Sequence, residues 1–316
     1  MKISREFRVI NRNFSFPIIT SNFSWNNRKS VVLRERSARG DYVYGEVAPT
    51  PSFPNQPAIS QVIYEANLWS KGIELPSSNS LLPAISCMRS QIWQFDLGSK
   101  TKLKQSILYN PDAELHSFKC IKKKIGLLPT KDEVVKVKNW LDKIPSNCKV
   151  RLDPNGSFST PELMIWLDEF KDEDRIEFIE QPLPDSKRQE LFKLSHVSPV
   201  PLAIDETVVA MGGPGNALEN GWNGFYVIKP TLLNDWPSVL NFVFKMPGHS
   251  VISTVFESPF GFEAILRMCK HSRLESGVSR DIFKHLDSEL VSHHEKQLFS
   301  PSVSVQELDK LWHRSL

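Results

Sequence analysis

An α/β fold, with a β/α barrel preceded by a small α+β domain, is predicted by three features of this sequence. From about residue 100 onward, short apolar runs alternate with segments of helical periodicity, the pattern of parallel strands joined by helical crossovers. Each apolar run closes on a polar residue, in turn Lys124, Asp153, Glu180, Asp205, Lys229 and Ser253, and these ends recur every 24 to 29 residues. That is near the roughly 30 residues per unit of a β/α barrel. A doubly wound open sheet also alternates strands and helices, but it does not normally end consecutive strands in polar side chains. The first part of the chain has a different texture, strands and turns followed by helices, and reads as a separate small unit.

The opening runs RKSVVLRER and YVYGEVAP are rich in Val and Tyr and read as strands, with Arg39-Gly40-Asp41 as the turn between them. Residues 49–57 are proline-rich and read as a loop. Residues 58–72 carry apolar side chains at helical spacing. The stretch PSSNSLLP reads as a second loop, and a helix is expected over residues 87–95. In the barrel half, Thr130 and Glu133 read as a capping box opening the helix VVKVKNWLDKI, and Ser159 and Glu162 as a second, with Pro161 in its first turn. The strands RIEFIEQP, PLAIDET, GFYVIKP and SVISTVFES follow.

The totals narrow the function classes. A chain of 316 residues with 40% apolar and 24% charged content has material for a sizeable core. A net charge of +3 without a broad basic stripe gives no reason to expect a nucleic-acid partner. No run approaches the roughly 18 apolar residues of a membrane span, and charges interrupt the N-terminus too often for a signal-peptide core. A cytoplasmic protein is expected, with an organellar transit peptide left open. Cys87, Cys120, Cys148 and Cys269 are widely spaced without a CxxC, so buried reduced thiols are expected. Met211-Gly-Gly-Pro-Gly215 lacks the Gly-Lys-Ser/Thr of a phosphate loop and reads as a plain loop. The histidines show no close metal spacing, and His293 and His294 are expected at the surface.

The strand ends carry the chemistry. Residues at the C-terminal ends of barrel strands converge on one mouth, and Asp153, Glu180 and Asp205 end three consecutive strands. Three unpaired acids there would repel one another. A divalent cation resolves the conflict, and an all-oxygen set favours a hard ion, Mg²⁺ ahead of Mn²⁺ or Ca²⁺. Taken singly, each acid could equally be a surface partner of a lysine. In the strand expected over residues 118–125, alternation puts Lys122 and Lys124 on one face and Lys123 on the other. A neighbouring ammonium and a nearby metal both disfavour a second positive charge, the condition under which a lysine serves as a base. Lys124 is therefore the candidate base, and Lys229 a second cation across the mouth. Arg151 shares the face of Asp153 and could hold a carboxylate or simply pair with a structural acid. Glu206, beside Asp205, reads as a support for the site. One metal with a lysine on either side suits removal of a proton next to a carboxylate.

These pieces resemble the enolase superfamily, in its muconate-lactonizing-enzyme-like subgroup. KKKIG matches the K-x-K strand and LDPNG the D-x-N segment ending in Asn155; FIEQP, AIDET and VIKP follow in the same order. Lysine bases with Mg²⁺ in this superfamily are a known pairing. The resemblance implies a modified TIM-type (β/α)7β barrel over residues 96–289 and an α+β capping domain over 1–95, completed by 290–316. Within the family the chain is most similar to the branch that dehydrates 2-succinyl-6-hydroxy-2,4-cyclohexadiene-1-carboxylate to o-succinylbenzoate, on the way to menaquinone or phylloquinone. The short chain, the arginine that precedes the metal aspartate as RLD and the segment VISTVFESPFG point there. The implied roles are Lys124 and Lys229 as catalytic lysines, Asp153, Glu180 and Asp205 as Mg²⁺ ligands, and Lys122, Arg151, Asn155 and Glu206 in support. Ser253 would contact the succinyl carboxylate. Pro154 departs from the commoner alanine, and residues 20–28, where a specificity loop would lie, carry nothing distinctive. The implied partner is a small-molecule carboxylate; the oligomeric state stays open. Two other readings remain: an N-acylamino acid racemase or dipeptide epimerase using both lysines as bases, and a Schiff-base lyase with Lys229 as nucleophile.

Overall fold

The computed structural model describes residues 4–19, 24–37, 40–51, 53–95, 103–109, 119–278, 298–299 and 304–314. Arg39, residues 20–23 of the expected specificity loop, the start of the strand expected at 118, and His293 and His294 lie outside them.

The cap begins as an antiparallel meander of β1 (Arg5–Ile19), β2 (Ser24–Arg36) and β3 (Tyr42–Val47). Val31 stands opposite Val9 on one side and Val47 on the other. The run SVVLR in β2 does not alternate in polarity because both faces of the strand are covered. Val31, Leu33 and Val47 pack against α1 (Ile59–Ser70) and α2 (Leu82–Arg89) through Val62, Ala66, Trp69, Ala84 and Met88. On the opposite face Ile10, Val32 and Tyr44 meet Phe260, Leu308, Leu311 and Trp312. Gly45 is required where α2 lies on β3: a Cβ there would sit 2.1 Å from the Ala84 carbonyl oxygen.

The helix expected over 87–95 is displaced. Leu82 opens α2 with Pro83 in its first turn, and the helix stops at Ser90. The Ser90 side chain accepts from the Ile92 N–H and starts a separate 3-10 turn, Gln91–Gln94. A serine hydroxyl competing for backbone N–H groups starts helices more readily than it continues them.

Beyond β4 (Leu103–Lys104), the barrel strands are β5 (Ile107–Leu108), β6 (Cys120–Lys124), β7 (Lys149–Asp153), β8 (Ile176–Glu180), β9 (Leu202–Ile204), β10 (Phe225–Ile228) and β11 (Ser250–Ile252). They are parallel neighbours in sequence order. Ser276 and Gly277 form parallel bridges to Gln105 and Ser253 and so join the two edges. The helices are α3 (Thr130–Leu141), α4 (Thr160–Glu169), α5 (Arg188–Leu194), α6 (Glu206–Ala210), α7 (Pro214–Glu219), α8 (Trp236–Lys245) and α9 (Pro259–Cys269). This is the expected (β/α)7β barrel with its α+β cap. Alternation sorts its two surfaces. Ile121, Val150, Leu152, Ile179, Leu202, Ile204, Tyr226, Ile228 and Ile252 join the large core under the helices. Phe178, Ala203, Val227 and Val251, on the other parity, form a small plug inside the barrel.

Two local expectations change. The capping box at Thr130 is absent, because the helix starts one residue earlier with Pro129 at its N-cap. Glu133 instead accepts from the Gly126 and Leu127 N–H groups at 2.7 and 3.2 Å. Pro214 and Gly215, read as loop, open α7. The second box, Ser159 with Glu162, forms as expected.

Helix α9 is buried along its whole length, between β3 of the cap and β11 of the barrel. The short strand β12 (Leu298–Phe299) pairs with β4, and α10 (Val305–His313) packs on the cap sheet. All four cysteines are free and buried. No helix among the described residues is long and apolar enough to cross a membrane.

Candidate active site

The inward parity that places the plug also places the polar residues one step further along each strand. Lys122 and Lys124 of β6, Arg151 and Asp153 of β7, and Glu180 of β8 share it, as do Asp205, Lys229 and Ser253 just beyond β9, β10 and β11. In register, Lys124 faces Asp153 and Lys122 faces Arg151. Two of the strands are stopped by left-handed backbone just past these ends, at Asn155 (φ 50°) and Gln181 (φ 41°). Such conformations cost a non-glycine residue energy and concentrate at functional sites.

The side chains form one charged cluster. Lys122 Nζ lies 2.8 Å from Asp153 Oδ2 and 3.0 Å from Glu180 Oε1. Lys124 Nζ lies 2.6 Å from the same Asp153 oxygen and also donates to Asn155 Oδ1. Lys229 donates to Asp205 Oδ2, and its ammonium sits 4.8 Å from the centre of the Phe53 ring. Asn155 Nδ2 reaches Glu206 Oε1 at 3.5 Å. The four carboxyl groups of the cluster, Asp153, Glu180, Asp205 and Glu206, are thus drawn together, with Lys124 on the β6–β7 side and Lys229 on the β9–β10 side. Lys122 lies further in than its supporting role suggested, and its ammonium bridges two of the acids. Among the described residues no three acids, histidines or cysteines form a closed metal cage; ammonium groups are interleaved with the acids.

The electrostatics follow from burial. Burial raises the Asp153 carboxyl, but Lys122 and Lys124 outweigh it and hold the group below the usual range. Glu180 is pushed up to about 7, by burial first and then by the charge of Asp153, against the pull of Lys122. Burial also raises Asp205, against Lys229, and Glu206. For Lys122 burial alone would favour the neutral form, yet Asp153, Glu180 and Asp205 together hold it firmly protonated. Two buried carboxylate oxygens, Asp205 Oδ1 and Glu206 Oε2, have no hydrogen-bond partner. Acids that burial disfavours, with unsatisfied oxygens and only oxygen donors, fit a hard divalent cation. The carboxylates of Asp153, Glu180, Asp205 and Glu206 are the groups in the cluster that could supply oxygens to it.

Arg151 lies one layer deeper. Its Nε meets Glu177 at 2.5 Å, Nη1 donates to Ser106 Oγ and the Glu275 carbonyl, and the guanidinium covers the Phe178 ring. The structural pairing is the one realised. The Ser253 hydroxyl donates to the Gly277 carbonyl at 3.2 Å, across the seam that closes the barrel. Lys123, on the other face as expected, lies over the Tyr109 and Trp140 rings.

Three further residues escaped the sequence reading. Phe53 reaches Lys229 from the proline-rich loop of the cap, a contact that only docking of the two units creates. Glu257, fully buried, accepts from Thr231 Oγ1, Thr254 Oγ1 and the Val255 N–H, and so ties the loop after Lys229 to the loop after Ser253. Gln181 had a legible signal, since a side chain that both donates and accepts directly follows a candidate ligand.

Comparison with known proteins agrees with this geometry. Residues 111–231 match the family model described as Enolase C-terminal domain-like. The chain is 26% identical over 285 residues to an o-succinylbenzoate synthase of Thermosynechococcus vestitus (strain NIES-2133 / IAM M-273 / BP-1), covering 83% of this chain and 87% of that protein. The crystal structure of o-succinylbenzoate synthase from Thermosynechococcus elongatus BP-1, complexed with Mg in the active site, superposes with a TM-score of 0.78 at 20% identity, over 99% of this chain and all of that one. The L-Ala-D/L-Glu epimerase from Bacillus subtilis superposes with a TM-score of 0.77 at 17% identity, over 96% of this chain and 98% of that one. The barrel half thus resembles the Enolase C-terminal domain-like family over residues 111–231, and nearly the whole chain shares the fold of these structures.

Proposed function

We propose that this chain is an o-succinylbenzoate synthase, a metal-dependent carbon–oxygen lyase that dehydrates 2-succinyl-6-hydroxy-2,4-cyclohexadiene-1-carboxylate in menaquinone or phylloquinone biosynthesis. It acts as a soluble cytoplasmic enzyme. One observation carries the reading: lysines on either side of a buried carboxylate cluster at the barrel mouth. The relative described as an o-succinylbenzoate synthase aligns with this chain over most of both lengths. The same reading divides the chain into a cap, residues 1–95 with 290–316, and a barrel, 96–289.

Asp153, Glu180 and Asp205 would hold Mg²⁺, with Mn²⁺ as a substitute. When bound, the ion supplies positive charge where the substrate carboxylate gains electron density. Lys124 removes the proton from the ring carbon that bears the carboxylate. The adjacent C–OH bond then breaks, Lys124 returns the proton to the departing hydroxide, and the ring becomes aromatic with loss of water. Lys229, fixed by Asp205 and Phe53, faces the developing negative charge from the side opposite Lys124. Lys122 keeps Asp153 and Glu180 aligned, Asn155 and Glu206 brace Lys124 and the acids, Arg151 supports the layer below, and Ser253 binds the succinyl carboxylate.

The test is a dehydration assay with added Mg²⁺, run beside Lys124→Ala and Lys229→Ala. Aromatic product at the full rate from the parent chain alone is expected, with both variants strongly impaired. Racemisation of N-acylamino acids or epimerisation of dipeptides without dehydration would overturn the assignment. That second reading has its own support, since a base on each side is what racemisation needs and the epimerase fold superposes almost as well.

A further inference from the structure

Gln181 directly follows Glu180, is 1% exposed, and holds a left-handed backbone. Every polar group it owns is engaged. Its carbonyl accepts from the Gly156 N–H at 2.6 Å and its own N–H donates to the Ala203 carbonyl at 2.7 Å. In the side chain, Oε1 accepts from the Asp205 and Thr207 N–H groups at 2.9 and 3.1 Å. Nε2 donates to the Leu183 carbonyl and to Thr207 Oγ1, both at 2.9 Å. The two backbone donors fix which end of the amide is oxygen.

Those partners lie on three different strand ends. Gly156 belongs to the turn that carries Asp153 and Asn155, Glu180 is the preceding residue, and Asp205 with Thr207 opens α6. One buried residue therefore joins the backbones of all three candidate metal ligands, and a strained conformation is kept at the junction. Mutual repulsion works against this convergence and Lys122 and Lys229 offset it only in part, so a fixed backbone frame is needed to keep the acids ready for a cation.

We infer that Gln181 is a positioning residue, whose amide sets the mutual placement of Glu180 and Asp205 and whose backbone fixes the Asp153 turn, so that the three carboxylates can take a divalent ion. The inference rests on the metal site of the proposed function. Its effect runs through the carboxylates, in the manner of residues behind metal ligands, whose loss typically weakens metal binding about 10–100-fold.

Mn²⁺ binding to the folded full chain, followed by electron paramagnetic resonance, tests it. Gln181→Met keeps the bulk but removes the acceptor and donor, and should weaken Mn²⁺ binding about tenfold or more. Gln181→Glu keeps the acceptor used by the Asp205 and Thr207 N–H groups but sets a carboxylate oxygen against the Leu183 carbonyl, so it should bind more weakly than the parent yet clearly better than Gln181→Met. Gln181→Asn draws the amide back by one methylene; it should bind more weakly and serves if the methionine variant does not fold. Parent-like binding by Gln181→Met or Gln181→Asn would overturn the inference, as would a Gln181→Glu as weak as Gln181→Met, which would reduce the role to packing. Asp205→Asn is the control. If it binds Mn²⁺ like the parent, the metal site itself fails; if it loses binding while Gln181→Met does not, only the positioning role fails.

Discussion

Lys122 and Lys124 stand two positions apart on one strand, yet keep different company. Lys122 is surrounded by Asp153, Glu180 and Asp205, which hold it protonated, so it is unsuited to accept a proton. Lys124 touches Asp153 and Asn155 only at the open side of the cluster. Removing it should therefore lower kcat for dehydration by about 10²–10⁴-fold, the usual weight of a general acid–base group. Melting should be little changed, since the side chain is half-buried rather than part of the core. The dehydration assay with a thermal scan checks both. A Lys124→Ala variant that keeps its rate would move the base elsewhere.

At the scale of elements, the close approach of α2 to β3 depends on one missing side chain. Gly45→Ala places a methyl group 2.1 Å from the Ala84 carbonyl oxygen and 2.6 Å from its carbon, both backbone atoms. Neither can give way without moving the helix. Overpacking of this kind costs about 1–3 kcal/mol, and urea unfolding should show it as a lower midpoint with an unchanged slope. A variant as stable as the parent would mean that α2 can slide. The link between cap and barrel is also made at an element end. Glu46, on β3, accepts from the Ser258 N–H, the Ser258 hydroxyl and the Gly261 N–H at the start of α9. Glu46→Ala leaves these buried donors without an acceptor and should cost about 2–4 kcal/mol, again read by urea unfolding.

For the whole molecule, the charged cluster couples folding to pH and to metal. Glu180, pushed up to about 7 by burial, binds its proton more tightly in the folded chain than in the unfolded one, and Asp205 and Glu206 shift the same way. Stability from these acids is full below their unfolded values and declines as pH rises through the folded ones. Asp153 is shifted downwards, so its contribution is present at neutral pH and lost only in acid. The metal-free chain should therefore lose stability, on the order of 2 kcal/mol, between about pH 5 and pH 8. Excess Mg²⁺ should flatten that decline, because binding to the folded state alone adds stability. Thermal scans across pH with EDTA or Mg²⁺ decide it; identical profiles in both would count against the metal site.

The sequence by itself determined the barrel, its strand ends and the charged residues upon them. Strand alternation and the recurring spacing are local properties of the chain, and they sort inward from outward side chains before anything packs. Ser159 with Glu162 was legible for the same reason, as a cap made within four residues. What needed tertiary structure was every contact between distant segments. Lys122 bridging two acids, Arg151 paired with Glu177, Phe53 under Lys229 and Gln181 joining three strand ends depend on barrel closure and on the cap docking against it. Even Glu133 left its predicted partner once the turn at Gly126 presented two nearer N–H groups. Periodicity fixes which face a residue occupies; which neighbour it meets there is set by long-range packing, and that information is spread over the whole chain.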